Sequence, residues 1–101
     1  MSKGPETTIT NNIIKAVNKL PKCKIQKVHG GPYGHPTLDL IGAVNGRMFL
    51  LEVKAPGKKP TPRQMSTMED WSNAGVYTGW VTSVDAALDF INTIKSETGA
   101  C

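Results

Sequence analysis

The sequence predicts a small α/β sandwich built around a mixed sheet, and three local patterns support this fold class. Apolar side chains recur at helical spacing over residues 8–20. Asn45-Gly46 separates two apolar runs, and this dipeptide favours a two-residue type I′ hairpin because both central positions need a positive φ. Thr61 and Gln64 stand where a capping box would begin a helix. Helical and strand periods therefore alternate along the chain, as in an α/β fold.

The predicted elements follow in the order α-β-β-β-α-β-α, with each boundary set by a turn or capping signal. They are a helix over 8–20 ended by Pro21, strands over 23–28, 38–44 and 47–54, a helix from Thr61 to Gly75, a strand over 76–81 and a helix after Ser83. Met65, Met68 and Trp71 are spaced for one helix face and are expected in the core. Trp80 is expected either in the core or at a dimer contact.

The chain has 101 residues, which is enough for one core, so a single domain over residues 1–101 is expected. No apolar run approaches the roughly 20 residues needed to span a bilayer. Its two cysteines do not make a disulfide framework. These features favour a cytoplasmic protein without a membrane partner.

Charge is distributed unevenly along the chain. Residues 1–63 hold eleven Lys and Arg against three acids, whereas residues 64–101 hold one base against five acids. The two parts therefore carry about +8 and −4. Such asymmetry indicates a surface that faces a polyanion, although solubility alone is the alternative explanation.

The three acids of the basic part include two that the hairpin brings together. With a two-residue turn at Asn45-Gly46, the numbers of paired residues sum to 91, so Asp39 faces Glu52. Lys54 lies two residues beyond Glu52 and points to the same face. Two opposed carboxylates repel each other, and one lysine does not satisfy both.

This acidic pair suggests a metal site. Mg²⁺ commonly binds one or two carboxylates together with substrate phosphates, and it can activate water and neutralise charge on a phosphate. The alternative is a structural carboxylate–lysine pair at a strand end, without a metal.

With these residues in view, the chain resembles the PD-(D/E)XK nuclease superfamily, and more closely its stand-alone virus-type replication-repair nuclease (VRR-NUC) domains. The resemblance covers nearly the whole chain. Its elements are Glu6 before the first helix, Asp39 after a Gly/Pro loop, Glu52-Val53-Lys54 at a strand end and Gln64 opening the next helix. One departure is Leu38, where the motif has its proline; this affects loop geometry rather than chemistry.

The resemblance implies a restriction-endonuclease-like fold and a Mg²⁺- or Mn²⁺-dependent endonuclease that hydrolyses DNA. Asp39, Glu52 and the Val53 carbonyl would hold the metal, and Lys54 would position water or stabilise the phosphate. Glu6 and Gln64 would complete the site from the two helices. The resemblance further implies a homodimer acting on branched, flap or Holliday-junction DNA during phage or bacterial replication, recombination or repair.

Four residues are predicted to contact DNA: Lys27, Tyr33, Lys58 and Lys59. The Gly-rich loop that holds Tyr33 allows close approach to phosphate, whereas Lys58 and Lys59 leave the motif strand in a loop that is equally consistent with a solvated surface.

Several residues have alternative explanations. Gln64 is either the capping partner of Thr61 or a site residue, because one side chain is not expected to serve both roles. Glu6 would equally suit the positive end of a helix dipole. His29 and His35 with Cys23 fit no structural zinc pattern. The rival function is a non-catalytic basic nucleic-acid-binding module with a structural acidic pair, and a chain that needs a partner subunit for targeting is a third.

Overall fold

The computed structural model describes residues 4–28 and 38–98, and their elements follow the predicted order. They are α1 (Pro5–Asn18), β1 (Cys23–Lys27), β2 (Leu40–Val44), β3 (Arg47–Val53), α2 (Pro62–Asn73), β4 (Tyr77–Val81) and α3 (Val84–Thr98). Tyr33, His29 and His35 lie outside the described residues, so what the sequence predicts for these three side chains stays a prediction.

The four described strands form one mixed sheet in the order β1-β2-β3-β4. β1–β2 and β2–β3 are antiparallel, whereas β3 and β4 are parallel because α2 forms the crossover between them. In the hairpin, Leu40 pairs with Leu51, as the two-residue turn predicts. Asn45 and Gly46 have φ values of 52° and 81°, which the turn requires. The predicted α/β fold class and hairpin register are confirmed.

The first helix begins earlier than the apolar stripe suggested. Pro5 occupies the first turn of α1, where its fixed φ and missing N–H cost nothing. Glu6 therefore lies inside the first turn of the helix, not before it, which corrects the sequence-based placement. The apolar stripe begins only at Ile9, so it gave no indication of the polar first turn.

The sheet separates two packing layers of unequal size. α1 and α3 cover one face over the main core, in which Phe49, Leu51 and Val53 of β3 are fully buried. The other face holds a small cluster of Leu38, Leu50 and Met68 beneath α2. β3 is consequently buried on both sides, and its last residues lie between the two layers.

The helix α2 buries less than its sequence pattern predicted. Met68 is 7% exposed, but Met65 is 47% and Trp71 36% exposed, so the expectation that all three are core residues was wrong. α2 packs mainly on β4, and a helix lying over a single strand buries only a narrow strip of its surface. Trp80 on β4 is 38% exposed and is not part of the core either.

The predicted helix caps are present. The Thr61 side chain accepts the Gln64 N–H, and Ser83 Oγ accepts the Ala86 N–H at 3.1 Å at the start of α3. Gly75 has a φ of 101° just after the end of α2, a conformation that glycine adopts without strain. Among the helices that the structure describes, none is both long and apolar enough to cross a membrane.

Candidate active site

Three successive backbone amides at the end of β3 organise the site. The Val53 N–H donates to Asp39 Oδ2 at 3.0 Å, the Lys54 N–H to the Val81 carbonyl at 2.9 Å and the Ala55 N–H to Glu6 Oε2 at 3.2 Å. Successive amides of a strand point to opposite sides, so Lys54 continues the pairing with β4. On the β2 side the strand pairing stops at Leu40. The carboxylates of Asp39 and Glu6 therefore accept hydrogen bonds from the Val53 and Ala55 N–H groups, which a longer β2 would otherwise have accepted.

Asp39 and Glu52 lie next to each other, as the hairpin register predicted. The Asp39 N–H donates to Glu52 Oε1 at 3.3 Å. Glu52 is 2% exposed although it is charged in its ordinary state, whereas Asp39 is half-buried. A carboxylate this deeply buried is uncommon unless it is paired or functional.

Lys54 joins the pair from the end of the strand. Its Nζ lies 3.4 Å from Glu52 Oε2, and its side chain is 14% exposed. Asp39, Glu52 and Lys54 thus converge on the sheet face that carries α2, because Glu52 shares that face with Leu50 of the smaller cluster.

Gln64 serves the helix cap and the site together, which corrects the expectation that it must do one or the other. Its Oε1 accepts the Thr61 N–H at 2.9 Å, and its Nε2 donates to Glu52 Oε2 at 2.9 Å. An amide has an acceptor end and a donor end, so the two roles use different atoms. The reciprocal bond from the Gln64 N–H to Thr61 Oγ1 is 3.1 Å long.

The electrostatics of Glu52 reflect its burial. Desolvation, together with the nearby Asp39 charge, raises the pKa of Glu52 from 4.5 to about 7, although Lys54 opposes the rise. The Glu52 carboxyl group therefore changes between its protonated and charged forms near neutral pH in the metal-free protein.

The two acids have more hydrogen-bond donors than the one lysine that was expected. Glu52 has donors from the Asp39 N–H, Gln64 and Lys54, and Asp39 has the Val53 N–H. Within residues 4–28 and 38–98, no buried side-chain nitrogen or oxygen lacks a hydrogen-bond partner. Two backbone amides and the Gln64 side chain supplied the missing donors, and strand periodicity does not show where backbone amides point.

The donor set suits a hard cation better than a soft one. Asp39 and Glu52 offer carboxylate oxygens, the ligands that Mg²⁺ and Mn²⁺ prefer. In the described part of the chain, no three His, Cys, Asp or Glu side chains gather into a metal-binding group. A cation here would take its remaining ligands from backbone, water and substrate, which is the usual situation for Mg²⁺.

Of the predicted DNA contacts, the structure describes Lys27, Lys58 and Lys59. Lys58 and Lys59 are exposed in the loop between β3 and α2. Lys27 is exposed at the end of β1 and pairs with Leu40, whose side chain belongs to the main core. Paired residues share a face, so Lys27 lies on the opposite sheet face from Glu52.

The structure confirms Thr61 as the predicted cap, and the bond from its N–H determines which end of the Gln64 amide is taken. One contact of the site was not predicted. The contact of Glu6 with Ala55 joins residues 49 positions apart and left no signal in the sequence.

Comparison with known proteins supports the fold directly. A solved structure described as a VRR_NUC domain matches with a TM-score of 0.75 and 20% identity, over 89% of this chain and 97% of the other. A second, described as a VRR_NUC domain protein, matches with a TM-score of 0.62 and 15% identity, over 95% of this chain and 89% of the other. The predicted VRR-NUC resemblance is confirmed in the fold.

One curated relative also matches. The "Putative nuclease p44" of Acyrthosiphon pisum secondary endosymbiont phage 1 is 35% identical over 60 residues, which are 59% of this chain. The match spans 63% of the relative, less than two thirds of its length. No protein-family model matches the chain.

Proposed function

We propose that this chain, which has the fold of VRR-NUC domains, is a metal-dependent nuclease that hydrolyses phosphodiester bonds of DNA. The observation that carries the proposal is the convergence of Asp39, Glu52 and Lys54 at the end of β3. The phage relative named as a nuclease supports the same activity.

Asp39, Glu52 and the Val53 carbonyl would hold Mg²⁺ or Mn²⁺. When bound, such an ion activates water and neutralises charge that develops on the phosphate. Burial of Glu52 supports this role, because a cation would compensate the cost of keeping its carboxylate charged away from water.

Lys54, Gln64 and Glu6 have supporting roles around the metal ligands. Lys54 is partly exposed, so its ammonium can orient the attacking water or stabilise phosphate oxygens while remaining close to Glu52. Gln64 holds Glu52 Oε2 and thereby orients the carboxylate. Glu6 supports the backbone directly after Lys54.

The excess of positive charge over residues 1–63 supports a polyanionic substrate such as DNA. We further propose branched or junction-shaped DNA, a homodimer with two active sites, and action in the cytoplasm of a bacterium or phage-infected host during replication, recombination or repair. A panel of flap, junction and duplex DNAs and a sedimentation mass test the first two.

One observation favours the rival function, a non-catalytic nucleic-acid-binding module. Both carboxylates already have hydrogen-bond donors from the protein, as a structural acidic pair would. The two functions differ in their need for a divalent cation. A nuclease of this kind needs one to cleave DNA, whereas a binding module would bind DNA without it.

The deciding experiment measures cleavage of labelled branched and linear DNA with Mg²⁺, Mn²⁺ or EDTA. Lys54→Ala and Glu52→Gln are compared with Lys95→Ala, a matched control in α3. The nuclease proposal expects metal-dependent cleavage that both site variants lose and the control keeps. DNA binding without cleavage would support the rival, and cleavage unchanged in Lys54→Ala would contradict the site assignment.

A further inference from the structure

Trp80 is an exposed aromatic residue on the same sheet face as the acids of the candidate site. It pairs with Glu52 in the parallel register between β3 and β4, and paired residues of neighbouring strands project to the same face. Thr78, two residues earlier on β4, shares that face, because its hydroxyl donates to the Met68 carbonyl of α2 at 3.2 Å. Trp80 therefore lies beside Glu52 on the face that carries α2.

Asp39, Glu52 and Trp80 form one row across the sheet. The Asp39 N–H donates to Glu52 Oε1 on one side, and Trp80 is the register partner of Glu52 on the other. Neighbouring strands lie about 4.8 Å apart, so the row spans roughly 10 Å. This length corresponds to about three base steps of roughly 3.4 Å along a DNA strand. A nucleotide next to a phosphate held at the acids is therefore within reach of Trp80.

The Trp80 side chain is large and remains partly open to solvent. It is 38% exposed and belongs to neither of the two hydrophobic clusters, whereas Val81, the next residue on β4, is 6% exposed in the main core. Single exposed apolar residues are common on protein surfaces and need no explanation by themselves. Trp80 differs in its position, since its register partner is the buried acid of the candidate site.

An indole at this position suits one class of ligand. The face of an indole stacks on the face of a nucleobase, and every base has such a face. Bases inside a continuous duplex stack on each other, whereas unpaired bases in single strands and at branch points have free faces. A second protein chain bound on Trp80 would lie against Glu52 and Lys54, so the position favours a nucleic acid as the occupant.

We propose that Trp80 stacks on an unpaired base of the DNA close to the phosphate that the site cleaves, an inference that rests on the proposed function. Asp39, Glu52 and Lys54 act at the phosphate, and Trp80 holds a nearby nucleotide by its base. Because a paired base inside a duplex offers no free face, this contact favours DNA with an unpaired nucleotide at the cleavage point. It selects the shape of the DNA and not its base sequence.

The first experiment measures binding to the full chain in EDTA, which prevents metal-dependent cleavage. The probes are a fluorescein-labelled duplex that carries a single-stranded arm and a fully paired duplex of the same length. Loss of one stacked base weakens binding about 5- to 150-fold, so Trp80→Ala should raise the Kd for the armed duplex by a factor in this range. The Kd for the paired duplex should change little.

Two further variants serve as controls for this measurement. Trp80→Phe keeps an aromatic face and should retain most of the affinity for the armed duplex. Trp71→Ala should bind like wild type, because Trp71 is 36% exposed but lies near the far end of α2 from Gln64.

Removal of a base from the DNA separates stacking from other effects of the substitution. Abasic nucleotides are placed one at a time along the single-stranded arm, beginning at the branch point. In wild type and in Trp71→Ala, one of these positions should weaken binding by about the same factor as Trp80→Ala does. In Trp80→Ala the same abasic nucleotide should have little further effect, because both changes remove one contact.

Tryptophan fluorescence supplies a readout that needs no change at Trp80. The chain has two tryptophans, so Trp71→Phe leaves Trp80 as the only one. Stacking on a base should quench its emission when a single-stranded oligonucleotide is added. Trp80→Phe, which keeps only Trp71, should show little quenching. This comparison decides the outcome even if Trp80→Ala does not fold.

The possible failures are distinguishable. An abasic effect of the same size in wild type and Trp80→Ala would overturn the inference, and wild-type cleavage with Mg²⁺ would then leave the nuclease standing. A lower sedimentation mass of Trp80→Ala would make Trp80 a contact between copies of the chain and would also overturn it. Quenching and a preference for the armed duplex without metal-dependent cleavage would remove the nuclease and leave Trp80 as a base-stacking residue of the rival binding module.

Discussion

Gln64 donates from Nε2 to Glu52 Oε2 at 2.9 Å while its Oε1 accepts the Thr61 N–H, so one amide links the start of α2 to the most buried acid of the site. The cap determines which end of the amide faces Glu52. Helix capping and the orientation of a candidate metal ligand are therefore coupled in this protein.

This coupling predicts different stabilities for two variants. Thr61→Ala should cost about 1 kcal/mol of unfolding free energy, the usual value for a lost N-cap. Gln64→Ala loses the cap partner and also a donor to a buried carboxylate, so it should cost about 1–3 kcal/mol. Urea unfolding at neutral pH measures both. Equal losses would mean that the bond to Glu52 contributes little.

Substitution of Asp39 separates its charge from its hydrogen bond. In Asp39→Asn the amide oxygen can still accept the Val53 N–H, while the repulsion with Glu52 disappears. We expect the melting temperature of the metal-free protein to rise and cleavage to be lost. Asp39→Ala is the contrasting variant, since an unpaired Val53 N–H should cost about 1–3 kcal/mol. A clear fall in stability for Asp39→Asn would make the aspartate charge structural.

The raised pKa of Glu52 predicts a pH-dependent stability. Its pKa is about 7 in the folded protein and 4.5 ordinarily, so the folded state binds the proton more tightly than the unfolded state. The resulting stabilisation is fully present below pH 4.5 and is lost as the pH rises through 7. The loss is of the order of 3 kcal/mol.

Chemical denaturation of wild type and Glu52→Gln at a series of pH values measures this effect. The difference between their free energies of unfolding reports on Glu52 alone, because the contributions of the other titratable groups largely cancel. A difference that does not change between pH 4.5 and 7 would contradict a strongly raised pKa.

Added Mg²⁺ or Mn²⁺ should stabilise the folded chain without any DNA. A ligand at 100 times its dissociation constant contributes about 2.7 kcal/mol when only the folded state binds it. Thermal melts with and without the ion should show an increase in wild type that is lost in Glu52→Gln and kept in Lys95→Ala. The increase should be larger above pH 7, because the metal competes with the Glu52 proton. An equal increase in Glu52→Gln would place the ion elsewhere.

Substitution of Gly42 tests how tightly the hairpin that carries the site residues is packed. A Cβ at Gly42 would lie 2.3 Å from the Lys24 carbonyl oxygen and 2.6 Å from Phe49 Cζ. Gly42→Ala should therefore destabilise the protein by about 1–3 kcal/mol or more through overpacking. Gly4→Ala, where nothing lies within 4 Å of the added carbon, is the comparison; because Gly4 is the N-cap of α1, alanine should cost only the cap preference of about 0.5–1 kcal/mol. Thermal unfolding of both variants provides the comparison.

The sequence by itself determined the element order, the hairpin register and the convergence of Asp39 with Glu52. These features depend on local signals: Asn45-Gly46 sets the turn, and the two-residue period of a strand then determines which side chains share a face. The capping box at Thr61 was predictable for the same reason, because its two residues are close together in the sequence.

Only the tertiary structure decided what satisfies the acids. The Val53 and Ala55 amides meet Asp39 and Glu6 because the pairing with β2 stops at Leu40, and the contact with Glu6 spans 49 positions. The exposure of Met65 and Trp71 was likewise undetermined, because burial depends on how many strands a helix covers and not on its own periodicity. Long-range packing, and not residue type, made Glu52 the buried acid of this site.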